Sequence, residues 1–83
     1  MEWPSWWDWE LEFSSHANKR MAERLLSEAA LRAMLEDARQ IVEQGHGTFV
    51  VQAYDGRVRW EIIVAPDYAK RVIVVVTAYP DPE

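Results

Sequence analysis

Cysteine is absent from this 83-residue sequence, and glycine and proline are scarce, at three and four residues. Without cysteine there is no disulfide framework and no cysteine-based zinc site. That absence suits a reducing compartment. Repeats, low-complexity tracts and linkers are also missing, so residues 1–83 read as one domain, opened by a Trp-rich segment at residues 1–8. No apolar run approaches the ~20 residues that a membrane span requires. The stretch Met1–Phe13 carries Glu2, Asp8, Glu10 and Glu12 and no base, so it does not read as a secretory leader. P-loop, dinucleotide, nucleophile-elbow and HExxH patterns are missing too. The expectation is a cytoplasmic domain with no membrane partner, no metal and no cofactor.

What is present is apolar and acidic. Nearly half the residues (49%) are hydrophobic, five of them tryptophan, and the net charge is −5. Such a charge argues against broad, nonspecific attraction to nucleic acid. Its distribution is uneven: residues 1–12 hold four acids and no base, whereas residues 13–26 hold Lys19, Arg20 and Arg24 against Glu23. That second stretch is the only net-positive segment.

Local patterning then orders the chain. Trp9–Phe13 alternates as a half-buried strand does. Ser14 or Ser15 can cap a helix running from about His16 to Leu25. Ser27 can cap a second one over Glu28–Ala38, extending toward Val42, because Leu31, Met34, Leu35, Ala38 and Val42 share one helical face. Gly45-His46-Gly47 ends it. Thr48–Tyr54 and Arg57–Val64 flank Asp55-Gly56, a type I′ hairpin signal. Val72–Tyr79 forms the last strand, stopped by Pro80 and Pro82. Pairing Tyr54 with Arg57 sets Val51 opposite Trp60, and pairing Val64 with Val72 sets Trp60 opposite Val76. One sheet face is then wholly apolar and the other mixed. The expected fold is α+β, a two-layer β-α-α-β-β-β arrangement with two helices on one face of an antiparallel sheet.

His16, Arg20 and Arg24 recur at steps of four and form one stripe beside the apolar Ala17, Met21 and Leu25. An imidazole moves protons near neutral pH and guanidinium groups hold phosphate, so the set suits RNA cleavage. A solvated charged helix face explains the same spacing. On the mixed sheet face Arg59 falls in a row with Gln52 and Thr77, near Tyr54, Arg57 and Tyr79. That is either a platform for phosphate and bases or a solvated face where Arg59 pairs with Glu61 or another acid. His46 is a mobile second acid or a polar loop tip. Trp3, Trp6 and Trp7 cluster around Pro4, where they either dock a partner or a second copy of the chain, or fold back onto their own core.

Three stretches carry a resemblance: Trp7-Asp8-Trp9-Glu10-Leu11; His16, Arg20-Met21 and Arg24; and Ser27-Glu28 with Leu31-Arg32 and Leu35. With Trp60-Glu61, Val64, Asp67 and Val74–Pro80, they resemble a family of small bacterial proteins of unknown function. That family is grouped with RelE- and BrnT-like toxins in the barnase–EndoU–colicin–RelE ribonuclease superfamily. The resemblance implies a RelE-like fold, metal-independent endoribonuclease activity on RNA, and a neutralising antitoxin. By position it points to His16, Arg20 and Arg24, with Thr77 and Tyr79 beside them. One departure stands out: Arg24-Leu25-Leu26 replaces the Arg-Gly that often precedes the second helix, which predicts a less sharp break between helices. Because the acidic charge also fits a binding-only member, a non-catalytic interaction module is the alternative. The remaining difficulty is geometric. Helices on the apolar face lie opposite Arg59 and Thr77, unless the first helix reaches around the sheet edge.

Overall fold

A serine hydroxyl sets the first corner of the fold. In the computed structural model, which describes residues 3–81, strand β1 (Glu10–Phe13) ends at Ser14 and helix α1 (Ser15–Glu23) begins. The Ser14 hydroxyl accepts from the Ala17 N–H at 3.0 Å and donates to the Val76 carbonyl at 2.7 Å. One side chain thus caps the helix and ties its start to the last strand. Ser27 caps α2 (Glu28–Glu36) in the same way, through the Ala30 N–H. Strands β2 (Gln40–Gly45), β3 (Thr48–Asp55), β4 (Val58–Asp67) and β5 (Val72–Pro80) follow. Met1, Glu2, Pro82 and Glu83 lie outside the described residues, and with them the strand-ending role expected of Pro82. Pro80 does not stop β5 from outside but is its last residue.

The fold is α+β, with both helices on one face of a five-stranded sheet ordered β1-β5-β4-β3-β2. It has one strand more than expected. Helix α2 stops at Glu36, and Arg39 donates to the Gln52 carbonyl to begin β2 as an edge strand. Ala38 and Val42 therefore do not continue the helical face. Ile41 pairs with Val51 and packs against the core, while Val42 points to the other side. The sheet is also mixed, because β1 lies parallel to β5.

Two registers differ from expectation. Asp55 pairs with Val58, so the turn residues are Gly56 and Arg57, and Gly56 supplies the positive φ of 64° at the first turn position. Val51 therefore faces Ile62, and Trp60 faces Ala53. This is a slip of two residues, which leaves every side chain on its expected face. Between β4 and β5 a bulge intervenes: Ile62 pairs with Ala78, but Val64 pairs with Val75, leaving Val76 unopposed. Beyond the bulge the faces exchange. Ile73 and Val75 are buried in the core, and Val72 and Val74 turn outward. Val76 is not the neighbour of Trp60; Pro80 is.

Trp6 is 3% exposed and packs on Phe49, with 5.0 Å between ring centres. Its segment folds back onto its own domain, so Trp6 is a core residue rather than a docking one. Trp3 stacks outside it on Trp7.

The link between the helices is as sharp as a glycine would make it. The Leu26 N–H reaches the Met21 carbonyl at 2.8 Å and the Leu25 N–H reaches the Ala22 carbonyl at 3.2 Å, the two bonds of a Schellman stop. Leu25 occupies the left-handed position (φ 57°) and is 94% exposed, so its side chain returns almost nothing for the strain. Leu25→Gly is expected to stabilise the fold by about 0.5–1 kcal/mol, the left-handed cost less the extra entropy glycine loses on folding. Urea unfolding checks this, and a lowered midpoint would show that the Leu25 side chain contributes packing after all.

Candidate functional site

Helix α1 presents the predicted stripe to solvent. Its apolar side buries Ala17 and Met21 against the sheet, so His16, Arg20 and Arg24, one position before each apolar residue or one turn on, stay exposed. Arg20 makes an ion pair with Glu23 at 3.4 Å. Both partners are exposed, and such pairs exchange freely with solvent. The first turn of α1 contains no acid and Arg20 lies in the last turn, so the exposed side of the helix is basic.

The location of that helix bears on the geometric difficulty. Strand β1 pairs with β5 only as far as Phe13 and Val75. Past that point the outer edge of β5, from Thr77 onward, has no strand beside it among the described residues. Ser14 anchors the start of α1 to the Val76 carbonyl at this place. His16 and Thr77 therefore lie at one corner of the molecule, two residues and one residue from the two ends of that bond. No hydrogen bond or ion pair joins the α1 stripe to Arg59, Thr77 or Tyr79 among the described residues.

Arg59 and Tyr79 belong to a second cluster, on the open sheet face. Arg59 meets the Asp81 carboxylate at 2.5 Å, while the Asp81 N–H donates to the Arg59 carbonyl at 2.7 Å. Tyr79 pairs across the strands with Glu61 and donates its hydroxyl to that carboxylate at 3.1 Å. Tyr54 is the cross-strand partner of Arg59, and the Arg39 guanidinium sits 5.6 Å from the Tyr54 ring centre. Gln52 is opposite Glu61 and Thr77 opposite Ile63, so neither shares a row with Arg59 as the expected register had it. The expectation that Arg59 meets an acid holds, with Asp81 as that acid. Asp81 and Arg39 were missed from sequence. The one follows a proline expected to end the strand, and the other falls in the extension of the second helix toward Val42 that the spacing suggests.

These contacts shift two titrations. The hydrogen bond from Arg59 holds the Asp81 carboxyl below its ordinary range. Burial, and then the hydrogen bond to Glu61, push the Tyr79 phenol above its ordinary value. For Asp81 the folded pKa is the lower one. Its contribution to stability is present above the ordinary carboxylate range and is lost as pH falls through the depressed value. For Tyr79 the folded value is the higher one, so its contribution is present below the ordinary phenol range and disappears as pH rises past it. Asp81→Asn is expected to flatten the acid limb of the stability profile. An acid limb as steep as that of the wild type would show that Arg59 does not stabilise the Asp81 carboxylate.

His46 is in the β2–β3 turn with φ 55°. That turn belongs to the far edge of the sheet, three strands from β5, or roughly 14 Å at ordinary strand spacing. It cannot serve as a second acid beside His16. Among the described residues no three His, Asp or Glu groups converge as a cation site, and no helix is long and apolar enough to cross a membrane.

No curated protein and no solved structure matches the chain. A family match does exist, spanning residues 13–80 and so taking in both helices and strands β2 to β5. It leaves the tryptophan-rich stretch before Phe13 outside. On that match the chain belongs to the family described as domain of unknown function DUF4258.

Proposed function

We propose that this domain is a toxin-like, metal-independent endoribonuclease, related to RelE- and BrnT-like toxins, acting in the cytoplasm and neutralised by an antitoxin protein. One observation carries the reading: the exposed side of α1 concentrates His16, Arg20 and Arg24 on a chain whose net charge is −5. A local cluster of bases attracts a polyanion even on a molecule whose net charge is negative.

The chemistry follows from that stripe. His16 takes the proton of an RNA 2′-hydroxyl, and the freed oxygen attacks the adjacent phosphorus. The bond from phosphorus to the 5′-oxygen breaks, leaving a 2′,3′-cyclic phosphate, and the departing oxygen takes a proton from water. Arg20 and Arg24 hold the phosphate and offset the charge that builds on it. Because the nucleophile comes from the substrate, no metal is required. Thr77, at the same corner, positions the strand, and Tyr79 extends that surface as a neutral ring. Arg59 is committed to Asp81 and shapes the open face rather than gripping the scissile phosphate. The test is incubation of purified protein with total RNA, with and without chelator, beside Arg20→Ala/Arg24→Ala. Cleavage that survives the chelator and fails in the double variant supports the proposal. Intact RNA throughout, with no growth arrest on overexpression, overturns it.

A second reading, a non-catalytic interaction module, is favoured by the open sheet face. Val42 is 45% exposed there, with Val50, Ile63, Val72 and Val74 only partly covered. A protein inert toward RNA that co-purifies with a partner would establish it.

A further inference from the structure

A cavity of about 410 Å³ opens on the helix side of the sheet, between the segment that precedes β1 and helix α2. Its walls are Trp7, Asp8, Trp9 and Leu11 on one side and Arg32, Leu35 and Glu36 on the other, above Val64 and Ile73. The size is that of a small-molecule site. It is separate from the α1 stripe, and its near wall comes from residues outside the family match.

The tryptophans divide the work. Trp6 is buried in the core, at 3% exposure, as are the floor residues Val64 and Ile73 at 1% and 3%. Trp7 and Trp9 are only partly buried: one part of each ring packs against the core and the rest lines the cavity. Their rings are held before any ligand arrives: Trp7 stacks on Trp3 at 4.7 Å, and Trp9 meets the Tyr68 ring nearly edge-on at 5.5 Å. Preformed aromatic walls save a ligand the cost of ordering them.

The charge of the walls selects the ligand. Indole faces are electron-rich and attract cations. Two carboxylates, Asp8 and Glu36, stand against one guanidinium, Arg32. Arg32 is exposed and makes no ion pair among the described residues, so it can swing away or meet an acidic end of the ligand. We propose that this cavity binds an alkylated ammonium group, carried either by a small free amine or by a modified lysine side chain. This proposal does not rest on ribonuclease activity.

Tryptophan fluorescence of the full chain, titrated with choline and with its uncharged isostere 3,3-dimethylbutan-1-ol, tests it. Choline should give a saturable change at concentrations about tenfold lower than the alcohol. Asp8→Asn/Glu36→Gln should weaken choline severalfold without altering the melt, whereas Arg32→Ala should tighten it. Both acids are exposed, so the double variant probes the cavity without disturbing the packed tryptophans. A trimethyl-lysine peptide binding more tightly than choline assigns the site to a protein partner, and the reverse order assigns it to a free amine. Equal responses to choline and the alcohol, no saturable response, or indifference to the double variant would overturn the proposal.

Discussion

On the proposed ribonuclease reading, His16→Ala is expected to reduce RNA cleavage by about 10²–10⁴-fold, the usual contribution of one positioned proton-transfer group. His16 is exposed in the first turn of α1, so the substitution removes no packing. Alanine is also the better helix former, and the thermal melt should be unchanged or slightly higher. That separation makes the experiment decisive: lost cleavage in a fully folded protein can only be chemistry or substrate contact. Gel assays on a substrate that wild-type protein cleaves would measure the rate, and growth arrest on overexpression provides a second readout. Retained cleavage would remove His16 from the mechanism.

Trp60→Ala should cost about 3–5 kcal/mol, the range for deleting a large aromatic side chain from a core. Trp60 is 5% exposed, near the start of β4, with Ala53 and Pro80 as its cross-strand partners. Those small neighbours leave the indole to fill the volume between sheet and helices, and they cannot expand to replace it. In a domain of this size each kcal/mol lowers the melting temperature by about 4–8 °C. A protein at the low end of ordinary stability, roughly 5 kcal/mol, would be left marginal or unfolded by that loss. Circular dichroism under urea, with the slope held constant, gives the number. A loss under about 1 kcal/mol would mean that the core is centred elsewhere.

Local chemistry made much of this protein legible in advance. Ser14 and Ser27 announce both helix starts, because a serine hydroxyl ahead of an apolar helical stripe satisfies an N–H that nothing else reaches. The alternation of Phe49, Val51 and Ala53 with Trp60, Ile62 and Val64 defines the buried face of β3 and β4 even with the turn misplaced, since a two-residue slip preserves the face. The spacing of His16, Arg20 and Arg24 placed them on one stripe beside Ala17 and Met21, at the edge of a buried face; the structure turns that stripe to open solvent.

Other features needed partners that lie far away in the chain. Val72-Ile73-Val74-Val75-Val76 is uniformly β-branched, so nothing in it distinguishes inside from outside. The bulge at Val76, where the Ser14 hydroxyl bonds to the carbonyl, settles that choice and buries Ile73 and Val75. Ile41 and Val42 continue a helical pattern that ends at Glu36, because the open edge of β3 offers backbone bonds that only a strand can take. Asp81 is a strand-end acid by sequence and the partner of Arg59 by structure, two positions 22 residues apart. Leu25 adopts a left-handed turn that its side chain disfavours, because the motif joining α1 to α2 demands it. The sequence by itself determined which residues are helical at their starts, apolar on their faces and basic on α1. Tertiary structure decided strand register, the acid beside Arg59 and the fate of the tryptophans, since each depends on groups brought together only when the sheet closes.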